Sequence, residues 1–97
     1  MLYTASLPVT VLSDVAWDLR VDDPKNTDKG HMTDGRNVLS RSLSAASTTA
    51  VNLRIGGLVA TGADTVTLGV TLAQFVDITD QPGSYSIGLV FQAISAF

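Results

Sequence analysis

The residues best equipped for chemistry gather in one stretch. Asp22, Asp23, Asn26, Asp28 and Asp34 fall within or beside residues 23–37, together with Lys25, Lys29 and the only histidine, His31. Closely spaced side-chain oxygens are what a hard cation takes, and calcium wants about six to eight of them, several from one loop. Asn26-x-Asp28-x-Gly30 resembles the opening of a calcium loop. The glutamate that should close such a loop is missing, and Lys25 and Lys29 already compensate the acids. Asp and Asn at these spacings also build turns and Asx caps, which is the reading the residues favour. Asp22, Asp23, Asn26 and Asp28 therefore stand as calcium candidates with no metal assigned, and no cofactor is expected.

Catalysis finds no footing in the residue pattern. A Ser-His-Asp triad needs its histidine in a rigid pocket beside a serine, whereas His31 sits between Gly30 and Met32 in a loop and reads as a solvated side chain. Gly56-Gly57 lies among β-forming residues and lacks phosphate-loop spacing. No carboxylate pair is singled out for glycosidase work. A protein that is not an enzyme is expected. Aromatic stacking on a sugar is the remaining site chemistry, with Tyr3, Trp17 and Tyr85 as its candidates. Trp17 falls on the apolar side of its strand and reads first as a core residue, and Tyr85 as packed with its hydroxyl at the rim.

The elements that must position these residues are strands. Leu7, Val9 and Val11 alternate with Pro8 and Thr10, and Pro8 marks an edge or a strand start. In residues 15–22, Val15, Trp17, Leu19 and Val21 face one way while Asp18, Arg20 and Asp22 face the other. Residues 23–37 form a connection long enough to be functional, mobile or part of an interface. Residues 38–46 alternate less cleanly and read as a short strand, with Val38, Ser40, Ser42 and Ser44 on one side and Leu39, Arg41, Leu43 and Ala45 on the other. Val51, Leu53 and Ile55 begin another, which Gly56-Gly57 breaks or bulges before Leu58-Val59-Ala60 continues it. A turn is expected at residues 61–64. Val66, Leu68, Val70 and Leu72 then alternate with Thr65, Thr67, Gly69 and Thr71, and residues 71–75 have room for one helical turn. A Pro82-Gly83 turn opens a long last strand, with Tyr85, Ile87, Leu89, Phe91 and Ala93 on its inner face. About six to seven short strands with regular turn signals predict an all-β chain, an antiparallel β-sandwich of Ig-like or jelly-roll form, spanning residues 1–97 as one domain.

Composition agrees. All nine acids are Asp and none is Glu, which suits turns rather than helices. The charged fraction is 15% and the net charge −3. Six basic residues, no two adjacent, argue against nucleic-acid binding. The absence of cysteine excludes disulfides and thiolate sites. No basic leader follows Met1, and no apolar run reaches the roughly 18 residues of a membrane span.

Two segments carry a family resemblance. Trp17-Asp18-Leu19 is a W-x-L within a strand. Gly83-Ser84-Tyr85-Ser86-Ile87-Gly88-Leu89-Val90-Phe91-Gln92-Ala93 is similar to the closing motif of WxL-type domains on Gram-positive cell surfaces, with Tyr85 and Leu89 matching. Phe91 stands where that motif has its second tryptophan, and Ala93 where it has the leucine. More broadly, the chain resembles secreted fimbrial-type sandwiches. The resemblance implies a non-catalytic surface module, extracellular or displayed on a cell.

The closing strand supplies the sharper expectation. Val90, Ile94 and Ala96 make its second face partly apolar, and Phe97 ends it. An exposed strand of this kind invites pairing with another chain. Tyr85, Ile87, Leu89, Val90, Phe91, Ile94 and Phe97 are the expected assembly residues of a homo-oligomer, filament or shell. The alternatives are a module that binds carbohydrate or peptidoglycan of the cell wall, and a small virion or particle coat protein.

Overall fold

In the computed structural model, which describes residues 1–95, the period-2 pattern becomes seven strands: β1 (Leu2–Val11), β2 (Ala16–Asp22), β3 (Ser44–Ala46), β4 (Ala50–Asn52), β5 (Gly57–Ala63), β6 (Val66–Phe75) and β7 (Val90–Ser95). They form two antiparallel sheets, one in the order β1-β6-β3-β4 and one in the order β5-β2-β7. The described residues contain no helix. The molecule is an all-β antiparallel sandwich. Its four-plus-three strand count is that of an immunoglobulin constant-type sandwich, with a different strand order.

The core lies between the sheets. Val11, Trp17, Leu19, Val21, Leu43, Ala45, Val51, Leu53, Val59, Ala60 and Val70 form one buried cluster. The alternation of β2 places Trp17, Leu19 and Val21 inward, as their spacing requires. Val59 and Ala60 are consecutive yet both buried. A register shift explains them: Leu19 pairs with Ala60 and Arg20 with Leu58, so Val59 is the extra residue of a bulge.

Five sequence expectations change. Of residues 38–46, expected as one strand, only Ser44–Ala46 is β3. The segment after Gly56-Gly57 does not continue the strand before it. β4 stops at Asn52, whose carbonyl accepts from the amides of Ile55 at 3.0 Å and Gly56 at 2.9 Å. The chain turns there and enters the opposite sheet as β5. Gly56 has φ +76°, and a Cβ on it would overlap the Asp22 carboxylate, so the corner requires glycine. The turn expected at residues 61–64 falls instead at Asp64-Thr65, with Asp64 at φ +60°. Gly62 is a strand residue whose missing side chain makes room for the Trp17 ring. Residues 71–75 form no helical turn, because β1 offers a ladder out to Leu2↔Phe75. The last strand begins at Val90 rather than near Tyr85. β2 pairs with it only from Asp22↔Val90, and Asp23-Pro24 carries the chain out of the sheet, leaving the preceding residues without a partner strand. Ser86 bridges to Thr33 instead. Phe97, expected among the assembly residues, lies outside the described residues.

The Trp17 contact yields a test. Gly62→Ala would drive a Cβ into the Cζ2 and Cη2 atoms of the buried indole. Overpacking of this kind costs about 1–3 kcal/mol. A fall in urea midpoint with an unchanged m-value, followed by tryptophan fluorescence, is the expected result.

Candidate functional site

The long loop is strapped down, not loose. Asp23 is fully buried. Its Oδ2 accepts from the Gly30 amide at 2.7 Å and its Oδ1 from the Lys25 amide at 3.1 Å, while Lys25 Nζ stands 3.4 Å from Oδ2. Burial alone would raise its pKa; the two amides and the Lys25 charge outweigh that and hold it below the ordinary value. Lys25 Nζ also donates to the His31 carbonyl at 2.6 Å. His31 is half-buried, with Nδ1 at 2.8 Å from the Leu39 carbonyl, so Nδ1 carries the proton there. This corrects its reading as a solvated side chain. Met32 packs against the core, and Thr33 bridges both Val38 and Ser86. The loop thus takes part in covering the inner face of β6.

The calcium candidates do not converge. Asp22 Oδ1 pairs with Lys29 Nζ at 2.8 Å. Asn26 and Asp28 point to solvent. Among the described residues, no three His, Asp or Glu side chains come close enough to hold a metal ion. The carboxylates of this region shape backbone: Asp34 Oδ1 accepts from the Arg36 and Asn37 amides at 2.9 and 2.6 Å.

Of the aromatic candidates, Trp17 is buried and its Nε1 donates to the Asp64 carbonyl at 2.8 Å, so it is no stacking platform. Tyr3 and Tyr85 do come together. They line one cleft of about 390 Å³ with Leu39, Val76, Asp80 and Pro82. Tyr3 is exposed. Tyr85 donates its hydroxyl to the Gln81 carbonyl at 2.6 Å. Asp80 is held by the Ser40 amide at 3.1 Å and the Asp77 amide at 2.9 Å. Desolvation of the phenol, then the negative charges of Asp34 and Asp80, raise the Tyr85 pKa above the ordinary value of 10.0. Ultraviolet titration is expected to find Tyr85 ionising late. Asp34→Asn and Asp80→Asn should each bring it earlier, because each removes a negative charge that opposes the phenolate. Tyr85→Phe should remove the contribution of Tyr85 to the late step.

The strand edges complete the inventory. β4 and β5 are joined by the Gly56-Gly57 corner and close one seam of the sandwich. On the opposite flank, β1 and β7 end their sheets with no outer partner among the described residues. Neither strand contains a charged residue. Leu2, Tyr3, Val90 and Ile94 are exposed there. Ile87, Leu89 and Phe91 are half-buried against the core, with Tyr85 half-buried in its cleft, so of the expected assembly residues among those described only Val90 and Ile94 present open surface. Beneath the β1 edge lies a second, almost wholly apolar pocket lined by Tyr3, Ala5, Met32, Leu72, Gln74 and Ile87, among others. Gln74 was not foreseen as a site residue. Continuing the alternation of Val66, Leu68, Val70 and Leu72 by one step would have placed it inward.

Comparison of the chain with protein-family models, with curated proteins and with solved structures finds no match. No helix among the described residues is long and apolar enough to cross a membrane.

Proposed function

We propose that the protein is a non-enzymatic structural subunit that self-associates through its strand edges, as part of a fibre, a surface layer or a cell-wall-associated assembly. The observation that carries this reading is the unguarded flank. Edge strands of soluble proteins are ordinarily blunted by charges, bulges or covering segments, because unpaired backbone groups recruit other chains. Here β1 is ten residues long and β7 six, both uncharged, and Pro8 is the only blunting residue on either. The strand residues on the outer face of the larger sheet are uncharged as well, with the Arg41 guanidinium lying over Phe75 at its margin. Its rows read Thr4-Ala73-Ser44-Asn52 and Ser6-Thr71-Ala46-Ala50. The resemblance of Trp17-Asp18-Leu19 and of the closing segment to WxL-type and fimbrial-type domains supports a location at a cell surface. A particle coat would use the same edges. Sedimentation across a wide concentration range and negative-stain microscopy test the reading. Fibres, sheets or shells are expected, and a monomer at every concentration would refute it.

A second reading has its own observation. Tyr3 and Tyr85, far apart in the chain, share one cleft with Asp80, and two aromatic rings beside a carboxylate are suited to a cell-wall glycan. Calorimetric titration with peptidoglycan fragments tests this, and a null result with the wild type would remove it.

A further inference from the structure

We propose that two copies of the chain pair antiparallel along residues 2–6 of β1, each lodging its Tyr3 in the apolar pocket beside the other's Gln74. The proposal rests on the self-association reading and names the edge and the partner, a second copy.

Met1 N donates to the Val76 carbonyl at 2.7 Å and Val76 N donates to the Met1 carbonyl at 2.8 Å, so this pair exchanges both hydrogen bonds. The register then runs unbroken from Leu2↔Phe75 to Val11↔Val66. Antiparallel ladders alternate, so the odd residues of β1 bond to β6 and the even ones point their N–H and C=O groups outward. Leu2, Thr4 and Ser6 thus offer free backbone groups. Pro8, the next in this series, has no N–H to offer and ends the usable edge.

A two-fold contact brings each residue against its own copy's surface, so uncompensated charge there would repel. Residues 2–13 contain no charged side chain, and the one charge beside them, the Met1 ammonium, is bonded to the Val76 carbonyl. Centring the pairing on Thr4 sets Thr4 against Thr4 and Leu2 against Ser6, which uses every outward group before Pro8. On the inner face, Tyr3 of the second copy then lies opposite Ala5, whose small side chain leaves the pocket mouth open.

The pocket fits a phenol. Its volume is about 210 Å³, whereas an apolar cavity of about 150 Å³ already takes a benzene ring. Gln74 is 6% exposed. Its Nε2 donates to the Arg41 carbonyl at 3.0 Å and the Phe75 carbonyl at 2.9 Å, which fixes the amide orientation. Its Oε1 is buried with no hydrogen-bond partner. The walls are apolar apart from Gln74, whose Oε1 acceptor is unmet, and an aromatic ring bearing one hydroxyl donor is complementary to that lining. Tyr3 is the tyrosine that this pairing delivers, and it is exposed in the single chain.

The test is sedimentation equilibrium on the full chain, comparing wild type with Thr4→Pro, Tyr3→Phe and Ile94→Lys, with circular dichroism as the folding control. Thr4→Pro repeats what Pro8 already does at an outward position, so the fold should survive while association weakens by at least about 100-fold from the lost backbone bonds. Tyr3→Phe keeps the ring and removes two symmetric hydrogen bonds, for an expected loss of about 30-fold. Association that survives Thr4→Pro but fails with Ile94→Lys would overturn this pairing and leave edge assembly through β7 standing. A wild type that never associates would sink the broader reading together with this one. Weakening by Thr4→Pro but not by Tyr3→Phe would overturn the Tyr3–Gln74 contact. Free phenol that raises the melting temperature without changing the mass would make the pocket a small-ligand site and overturn its assignment to a second copy.

Discussion

Asp23→Asn is expected to lower the unfolding free energy by about 3 kcal/mol at neutral pH, within the range for breaking a buried, hydrogen-bonded charge. The wild-type carboxylate has an oxygen for each of two amides, Lys25 at 3.1 Å and Gly30 at 2.7 Å. An asparagine has one oxygen, so one amide would face an NH₂ group. Lys25, which stands 3.4 Å from Oδ2, would lose its counter-charge. The pH dependence separates this from a loss of packing. The folded pKa lies below the unfolded value near 3.8. The unfolded chain therefore binds the proton first, and the stability that Asp23 contributes is present above pH 4 and lost as the pH falls through the folded pKa. Urea unfolding at a series of pH values should show the gap between wild type and Asp23→Asn closing in that acid window. A gap that stays constant with pH would assign the effect to shape rather than charge.

Gly30→Ala is expected to cost still more, at least about 3–4 kcal/mol, or to prevent folding. Two effects add. Gly30 has φ +81°, where an L side chain is strained by about 1 kcal/mol. A Cβ there would also overlap backbone atoms of Leu53 and Arg54. Backbone cannot swing aside as a side-chain tip can, so the loop would have to lift from the β4–β5 connection. That would break the Leu43 N to Gly30 O bond of 2.7 Å and the Asp23 contact with it. Gly35 supplies the control. Its φ is +97° but nothing lies within 4 Å of a built Cβ. Gly35→Ala should therefore pay only the conformational part, about 1 kcal/mol. Thermal melts of the two variants read the difference directly. Equal losses would mean that the close approach at Gly30 is relieved at little cost.

These two predictions fall in the region where the sequence is hardest to read. Alternation in residues 15–22 and 66–72 settles which side chains go inward, because a strand's period of two leaves no choice of face once one face is buried. Trp17, Leu19, Val21 and Val70 are buried accordingly. Pro8 is correctly an edge marker, since β1 ends its sheet. Residues 23–37 have no period. Their shape comes from Asp23, Asp34 and Gly30 meeting backbone groups, one of them far along the chain at Leu53-Arg54, and no local pattern announces such contacts. The pairing of Tyr3 with Tyr85 in one cleft is of the same kind.

The sequence by itself determined that this chain is all-β, which side of most strands is apolar, and that no thiol and no membrane-length apolar run is available. Each of these follows from residue identity or from spacing over a few neighbours. Tertiary structure alone decided that Gly56-Gly57 is a crossing between sheets, that β7 starts at Val90, that the loop carboxylates serve backbone amides, and that β1 and β7 have no outer partner on one flank among the described residues. Which strand lies beside which depends on contacts between residues tens of positions apart, and a periodicity of two describes a strand's faces while saying nothing of its edges.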